Sequence, residues 1–183
     1  MSKKIILIVI AMIILGGVGY FVYQSTTEKF PIAPSEQRVT VDAQNATYII
    51  EGEEFTLING KSEKEIASDS ASKIITQYFG NDVKADFNGD GINDVAFLLT
   101  QNSGGSGTFY YVAVALSSGN GYKGTNAILL GDRIAPQITE FQNGEIIVNY
   151  ADRKPDEPMT ANPSVGISKY FKVNGGMLVE IQK

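Results

Sequence analysis

The chain has 183 residues and a net charge of −5, and 43% of its residues are hydrophobic, which is enough for one ordinary core beside a shorter appendage. It contains no cysteine, so disulfides, thiolate zinc sites and cysteine nucleophiles are excluded. It also contains no histidine, which excludes the Ser-His-Asp triad and nearly all catalytic zinc sites.

The first 24 residues predict a membrane anchor. Lys3 and Lys4 precede an uncharged apolar run over residues 5–23, which is long enough to cross about 30 Å of hydrocarbon as a helix. The basic flank favours a cytoplasmic N-terminus and an extracytoplasmic remainder. A cleavable signal peptide with its apolar part over residues 5–15 is the alternative, and it would export the same domain.

We therefore expect an anchor over residues 1–24, a polar spacer with two prolines over residues 25–37, and an extracytoplasmic domain over residues 38–183. That domain would be periplasmic or extracellular and would contact the membrane through the N-terminal helix. All acidic residues, and all basic residues except Lys3 and Lys4, follow the apolar run. The exported part is thus acidic, which argues against nucleic acid and anionic lipid as partners.

The pattern of the domain predicts a mainly β fold, namely a compact antiparallel sheet or sandwich of hairpins. Hairpin turns are indicated by three dipeptides between β-prone segments, Asn59-Gly60, Asn143-Gly144 and Asn174-Gly175. Residues 95–100 and 108–116 are apolar runs that predict buried strands. Residues 72–79 fit a helix or a strand, and the buried run that follows favours the strand.

The strongest chemical signal is the acidic loop, residues 86–94, with the sequence DFNGDGIND. Its oxygen-bearing side chains occupy positions 1, 3, 5 and 9 of a calcium loop: Asp86, Asn88, Asp90 and Asp94. Gly91 stands where such a loop turns sharply, and Ile92 would contribute its backbone carbonyl. The sequence therefore predicts a calcium site formed by these four side chains and the Ile92 carbonyl.

The loop does not supply a full calcium shell by itself. Position 12, a bidentate glutamate in an EF-hand, is Phe97 here, so Asp82, Asp132 or water would have to supply further oxygens. We therefore expect moderate affinity. The alternative is an Asx-rich turn without metal, but three aspartates within nine residues repel one another unless a cation neutralises them.

The acidic loop and the run VAFLL after it resemble the D-x-[DN]-G-D-G-x-x-D loops of FG-GAP and VCBS repeats in integrin-like extracellular proteins. That resemblance implies calcium held between two strands, but the chain has one such loop rather than a series, so it does not imply a propeller. On a longer scale, the acidic loop together with the segments YFGN (78–81), GGSGTFYY (104–111), LGDRIAP (130–136) and VNYADR (148–153) resembles an uncharacterised extracytoplasmic module of bacterial envelope proteins, over most of residues 46–181. That second resemblance implies an exported bacterial context and brings no activity with it.

Two loops are candidates for meeting a partner. Residues 101–107 are rich in glycine but lack the lysine of a phosphate-binding loop, so they predict a flexible hairpin turn. Residues 151–166 contain three prolines and mixed charge, as binding loops often do. The sequence leaves open whether the ligand is a protein or a glycan.

Catalysis has a weaker basis in the sequence. Paired carboxylates for glycoside hydrolysis could come from several residues, but nothing selects one pair among Asp132, Glu140, Glu145 and Asp152. The dipeptides Asp132-Arg133 and Asp152-Arg153 favour structural ion pairs at strand ends. We therefore expect a binding or envelope-assembly module with structural calcium. The alternative is a weak carboxylate-dependent hydrolase of cell-wall or extracellular glycans.

Overall fold

Short β-branched and aromatic runs, separated by glycine and asparagine turns, form twelve strands. The structure is a computed structural model that describes residues 42–66 and 72–183, all of which belong to one compact unit. A short 3-10 helix, Ala43–Asn45, precedes the strands. The strands are β1 Thr47–Ile50, β2 Glu53–Thr56, β3 Lys61–Glu65, β4 Lys73–Ala85, β5 Asp94–Asn102, β6 Phe109–Ser117, β7 Tyr122–Gly124, β8 Asn126–Asp132, β9 Ala135–Gln142, β10 Glu145–Asp152, β11 Val165–Asn174 and β12 Met177–Ile181.

Eight strands form a nearly closed sheet. Seven of them run in the order β2-β1-β8-β6-β5-β4-β3, and β7 pairs with β6. The outer strands β2 and β3 meet at the turn of Asn59 and Gly60, where Ile58 and Lys61 form an isolated bridge. The remaining strands form a second, four-stranded antiparallel sheet in the order β12-β11-β10-β9.

The strands β5 and β6 bury both of their faces. Alternate residues join one core cluster with β1 and β2, which includes Tyr48, Phe55, Phe97, Leu99 and Tyr111. The residues between them join a second cluster with the four-stranded sheet, which includes Leu98, Val112, Ile146, Val148 and Phe171. Burial on both sides is the reason these strands are continuous apolar runs rather than alternating ones.

The mainly β class predicted from the sequence is confirmed. Residues 73–85 form a strand, as the buried run after the acidic loop suggested. The architecture departs from a purely antiparallel arrangement, because β1 and β8 pair in parallel. The last hairpin also turns one residue later than predicted: Asn174 pairs with Met177, so the turn consists of Gly175 and Gly176, both with positive φ.

The middle of β4 carries a double bulge. From Tyr78 to Val83 it has two more residues than the segment of β5 opposite, which runs from Ala96 to Leu99. Gly80 has a φ of 100° and Asn81 a φ of 61°, so both lie in the left-handed region. The extra residues turn the side chains after Tyr78 away from the regular alternation of the strand.

Asn126 links the two sheets through hydrogen bonds to one residue. Asn126 on β8 donates from Nδ2 to the carbonyl oxygen of Leu178 at 3.0 Å and accepts from the Leu178 N–H at 2.8 Å. Its side chain thus satisfies both backbone groups of one residue on the edge strand β12.

The predicted membrane anchor lies outside the residues that the structure describes. Within residues 42–66 and 72–183, no helix has the length and apolar character needed to cross a membrane.

Candidate functional site

The acidic loop joins β4 to β5, and the carboxylate of Asp86 organises it. Asp86 Oδ1 accepts hydrogen bonds from the N–H groups of Gly89 at 2.7 Å and Asp90 at 3.1 Å, and Oδ2 accepts one from Gly91 at 2.8 Å. Both glycines have positive φ, which lets the chain curl around the carboxylate. These bonds, chiefly the one from Gly91, hold the pKa of Asp86 below its usual range.

The next two polar side chains close successive Asx turns. Asn88 Oδ1 accepts from the Asp90 N–H at 2.9 Å, and Asp90 Oδ1 accepts from the Ile92 N–H at 2.8 Å. The Asn88 amide also donates to Asp90 Oδ2 at 2.9 Å. The side chains at loop positions 1, 3 and 5 therefore share one hydrogen-bonded network in an exposed part of the loop.

Asp94, at loop position 9, lies in a different environment because it is fully buried. Its Oδ2 accepts from the Phe87 N–H at 3.0 Å, and its Oδ1 accepts from the Ser117 N–H at 2.8 Å. Burial raises the pKa of Asp94, and the nearby charges of Asp90 and Asp86 act in the same direction. This side chain ties the start of the loop to the end of β6.

The donor set suits a hard cation in its chemistry, because every candidate ligand is an oxygen. Calcium takes six to eight oxygen ligands. An ionised carboxylate has about four lone-pair sites, so Asp86 and Asp94 keep lone pairs that can coordinate an ion in addition to their hydrogen bonds from backbone N–H groups. Within the described residues, however, no three acidic side chains are arranged to hold a metal by themselves. The Asn88 amide and the Ile92 carbonyl would have to contribute, and calcium binding stays a prediction.

The structure excludes Asp132 as a further ligand, and Phe97, which stands at loop position 12, contributes none. Phe97 is fully buried in the core and offers no oxygen from its side chain. Asp132 pairs with Phe109, at the end of β6 away from the loop. Since β5 and β6 run side by side, Asp132 is about 25 Å from the loop at the usual rise per strand residue. The carboxylate of Asp82 accepts the Tyr78 hydroxyl at 2.5 Å.

No family model, curated protein or solved structure matches the chain.

The two loops predicted to meet a partner lie at one end of the domain, opposite the acidic loop. Thr108, at the end of the glycine-rich turn, donates its N–H to Asp132 Oδ1 at 2.8 Å and accepts from the Arg133 N–H at 2.7 Å. Arg153 then bridges to the proline-rich loop, because its guanidinium donates to the carbonyl oxygens of Arg133 at 3.0 Å and Ala161 at 2.7 Å. The loops are thus held together by the β8–β9 turn.

The two Asp-Arg dipeptides behave differently. Asp132 and Arg133 form the predicted ion pair, with Arg133 Nη2 2.9 Å from Asp132 Oδ2. The prediction is wrong for the second dipeptide, because Arg153 donates to loop carbonyls and Asp152 Oδ1 accepts the backbone N–H of Arg153. A guanidinium with several donors in a fixed fork suits such a carbonyl-bridging role.

Two of the carboxylates considered for hydrolysis have cationic partners. Glu145 lies 2.6 Å from Lys183 Nζ and 3.7 Å from Lys172 Nζ, at the opposite end of β10 from Asp152. Asp132 is held by Arg133. The structure therefore does not single out a catalytic pair from this set.

Two adjoining cavities along β4 were not predicted from the sequence. Their walls come from five separate parts of the chain, around Gln44, Asn59, Tyr78, Val95 and Tyr122. The one local signal was the Gly80-Asn81 dipeptide inside a strand run, since glycine there often marks a bulge.

Proposed function

We propose that this chain is a membrane-anchored extracytoplasmic β domain that binds calcium in its acidic loop and acts as a binding or envelope-assembly module. The observation that carries the proposal is the arrangement around Asp86. Its ionised carboxylate is held by three backbone N–H groups, and Asn88 and Asp90 close the following turns beside it. Such pre-organisation lowers the entropy cost of gathering oxygen ligands around an ion.

The calcium would be structural. When bound, the ion supplies positive charge that offsets the repulsion among Asp86, Asp90 and the buried Asp94. Asp94 connects that charge to the fold, because it bonds the loop at Phe87 and the end of β6 at Ser117. Calcium would therefore stabilise the connection from β4 to β5. This matters for the fold because β5 contributes residues to both core clusters.

The end of the domain opposite the acidic loop is suited to present loops to a partner. The glycine-rich turn and the proline-rich loop are joined there through the β8–β9 turn. Loops fixed on a rigid sheet commonly carry binding residues. A membrane anchor would keep the domain on the periplasmic or extracellular side of the membrane, where the ligand would be a protein or a glycan.

Calcium titration of the full-length chain tests the proposal. We expect heat on calorimetric titration and a higher thermal unfolding midpoint with millimolar calcium, since a ligand at about ten times its Kd stabilises a protein by about 1.4 kcal/mol. Magnesium is the control ion, because its stricter octahedral geometry suits this donor set less well. A chain that gives neither heat nor a shifted midpoint with calcium contradicts the proposal.

A further inference from the structure

Two adjoining cavities form a groove along β4, beside the Asn59-Gly60 turn that leads into β3. The larger has a volume of about 440 Å³ and the smaller about 180 Å³, and Gln44 and Tyr78 line both. We call this the β4 groove. It is distinct from the acidic loop and from the loop end described above, because none of its lining residues belongs to either.

The double bulge of β4 shapes the groove. It places Phe79 at the surface, where the residue is 47% exposed and its ring packs edge-on against Tyr110 at a centroid distance of 5.3 Å. Tyr78 is fixed by stacking on Phe97 at 4.7 Å and by donating its hydroxyl to Asp82 at 2.5 Å. Bulges that re-aim side chains in this way are over-represented beside functional sites.

The lining is polar, and its charges are balanced. The larger cavity has the amide side chains of Gln44, Asn59 and Gln77 on its wall, and these offer both donors and acceptors. Across the two cavities, two aspartates, Asp42 and Asp82, are matched by two lysines, Lys61 and Lys84. Lys61 also contacts Glu63, whose Oε1 lies 2.6 Å from its Nζ, and the charge of Glu63 is offset by Lys73 at 3.1 Å. Neither a cation nor an anion is favoured by such a surface.

We propose that the β4 groove binds a neutral oligosaccharide. A sugar ring packs against the exposed face of Phe79, and its hydroxyls exchange hydrogen bonds with Gln77, Gln44 and Tyr78. A polyhydroxylated neutral ligand matches a surface that combines amides, hydroxyls and one exposed aromatic ring without net charge. This inference rests on the proposed role as a binding module, and it does not require calcium.

The test uses the full-length chain in a detergent without a sugar headgroup. The probes are cellohexaose, maltohexaose, chitohexaose and mannohexaose, measured by saturation-transfer NMR and calorimetry at millimolar sugar. We expect at least one to bind, and we expect Phe79→Ala to weaken that binding about tenfold through loss of the stacking surface. Gln77→Ala, at an exposed position, should weaken it as well while leaving the unfolding midpoint unchanged.

The matched control is Phe109→Ala, because Phe109 is 37% exposed and lies outside the groove. It should bind the sugar like the unchanged chain. Binding by none of the probes overturns the inference, and so does binding that Phe79→Ala and Gln77→Ala leave intact. A chain that responds to calcium but binds no sugar overturns only this inference, whereas one that binds sugar and ignores calcium overturns only the calcium part of the proposed function.

Discussion

Asp86 and Asp94 in the acidic loop have pKa values shifted in opposite directions, because their surroundings differ. Asp86 accepts three backbone N–H groups near the surface, and its pKa is lowered. Asp94 is fully buried, and its pKa is raised. A cation bound in the loop would favour the charged form of both, since opposite charge lowers a carboxyl pKa. The lowered pKa of Asp86 thus favours its charged form before a cation binds, and a bound cation would bring the raised pKa of Asp94 down.

Asp90 offers the cleanest test of the ligand assignment. Its side chain is exposed, so Asp90→Ala should leave the fold intact while removing one oxygen ligand and one negative charge. We expect the calcium-dependent rise in the thermal unfolding midpoint to disappear in this variant.

The control for that substitution must avoid a backbone effect. Asp156 in the proline-rich loop has a φ of 73°, which alanine adopts poorly and asparagine tolerates. Asp156→Asn therefore removes a charge far from the acidic loop and should keep the full response to calcium. Equal loss of that response in both variants would show that the assigned ligands are incorrect.

Asp132 predicts a measurable dependence of stability on pH. The Arg133 guanidinium, together with the Thr108 N–H, holds the pKa of Asp132 below its usual value of 3.8. A carboxyl whose pKa is lower in the folded state stabilises it above the unfolded-state pKa, and this contribution is lost as pH falls through the folded-state pKa. Asp132→Asn should therefore lower the thermal unfolding midpoint at neutral pH and have little effect in strong acid.

Thermal melts of the unchanged protein and of Asp132→Asn, from neutral pH to strong acid, measure how the difference in their unfolding midpoints depends on pH. Glu140→Gln serves as the control, because it removes one carboxylate from β9 without touching the β8–β9 turn. An equal drop in the midpoint at neutral and strongly acidic pH would mean that Asp132 acts through packing rather than through its charge.

At the scale of elements, β7 packs closely against β1 because it contains a glycine. A Cβ on Gly124 would lie 2.2 Å from the carbonyl oxygen of Thr47 and 2.6 Å from Cδ1 of Tyr48. Such contacts require the backbone of one strand to move. The parallel pairing of β1 with β8 follows immediately along the chain, so this close approach also positions the one parallel pair of the sheet.

We expect Gly124→Ala to destabilise the protein by about 1–3 kcal/mol or more, as overpacking usually does. The matched control is Gly166→Ala on β11, where a Cβ would meet nothing within 4 Å and φ is not positive. That variant should be neutral or slightly stabilising, since glycine is unfavourable in a strand. Urea unfolding compares the two, and equal midpoints would contradict the assigned packing of β7.

At the scale of the whole molecule, the two core clusters share β5 and β6. Phe97 lies in one cluster and Phe171 in the other, and both are fully buried. Because β5 and β6 contribute to both clusters, loss of packing in one cluster should also destabilise the other. We infer that the domain unfolds as one cooperative unit.

Phe97→Ala and Phe171→Ala should each lower stability by about 3–5 kcal/mol, the usual cost of emptying a buried phenylalanine site. Urea unfolding followed by circular dichroism should give a single transition, shifted in both variants. Ile138→Ala, at a side chain that is 50% exposed on β9, is the control and should barely shift it. Separate transitions for the two clusters would contradict the shared-strand arrangement.

Much of the fold could be predicted from the sequence because its signals are local. The turns at Asn59-Gly60 and Asn143-Gly144 need positive φ, which asparagine and glycine supply, and the structure has them there. The run over residues 95–100 indicated a buried strand by its composition alone. The acidic loop was recognisable for the same reason, since its polar side chains bond to backbone groups only a few residues away.

Features that depend on strand pairing arise only in the folded chain. The burial of Asp94 requires β6 to end beside the loop, and the β4 groove requires β4 to meet residues around Gln44 and Tyr122. The glycine-rich turn and the proline-rich loop are joined because Arg153 reaches the carbonyl oxygen of Arg133. Such contacts link residues that are distant in the chain, and no local pattern encodes which distant strands lie side by side. Local patterns in the sequence specify the strands, the turns and the acidic loop, whereas the packing of the two sheets sets what surrounds them.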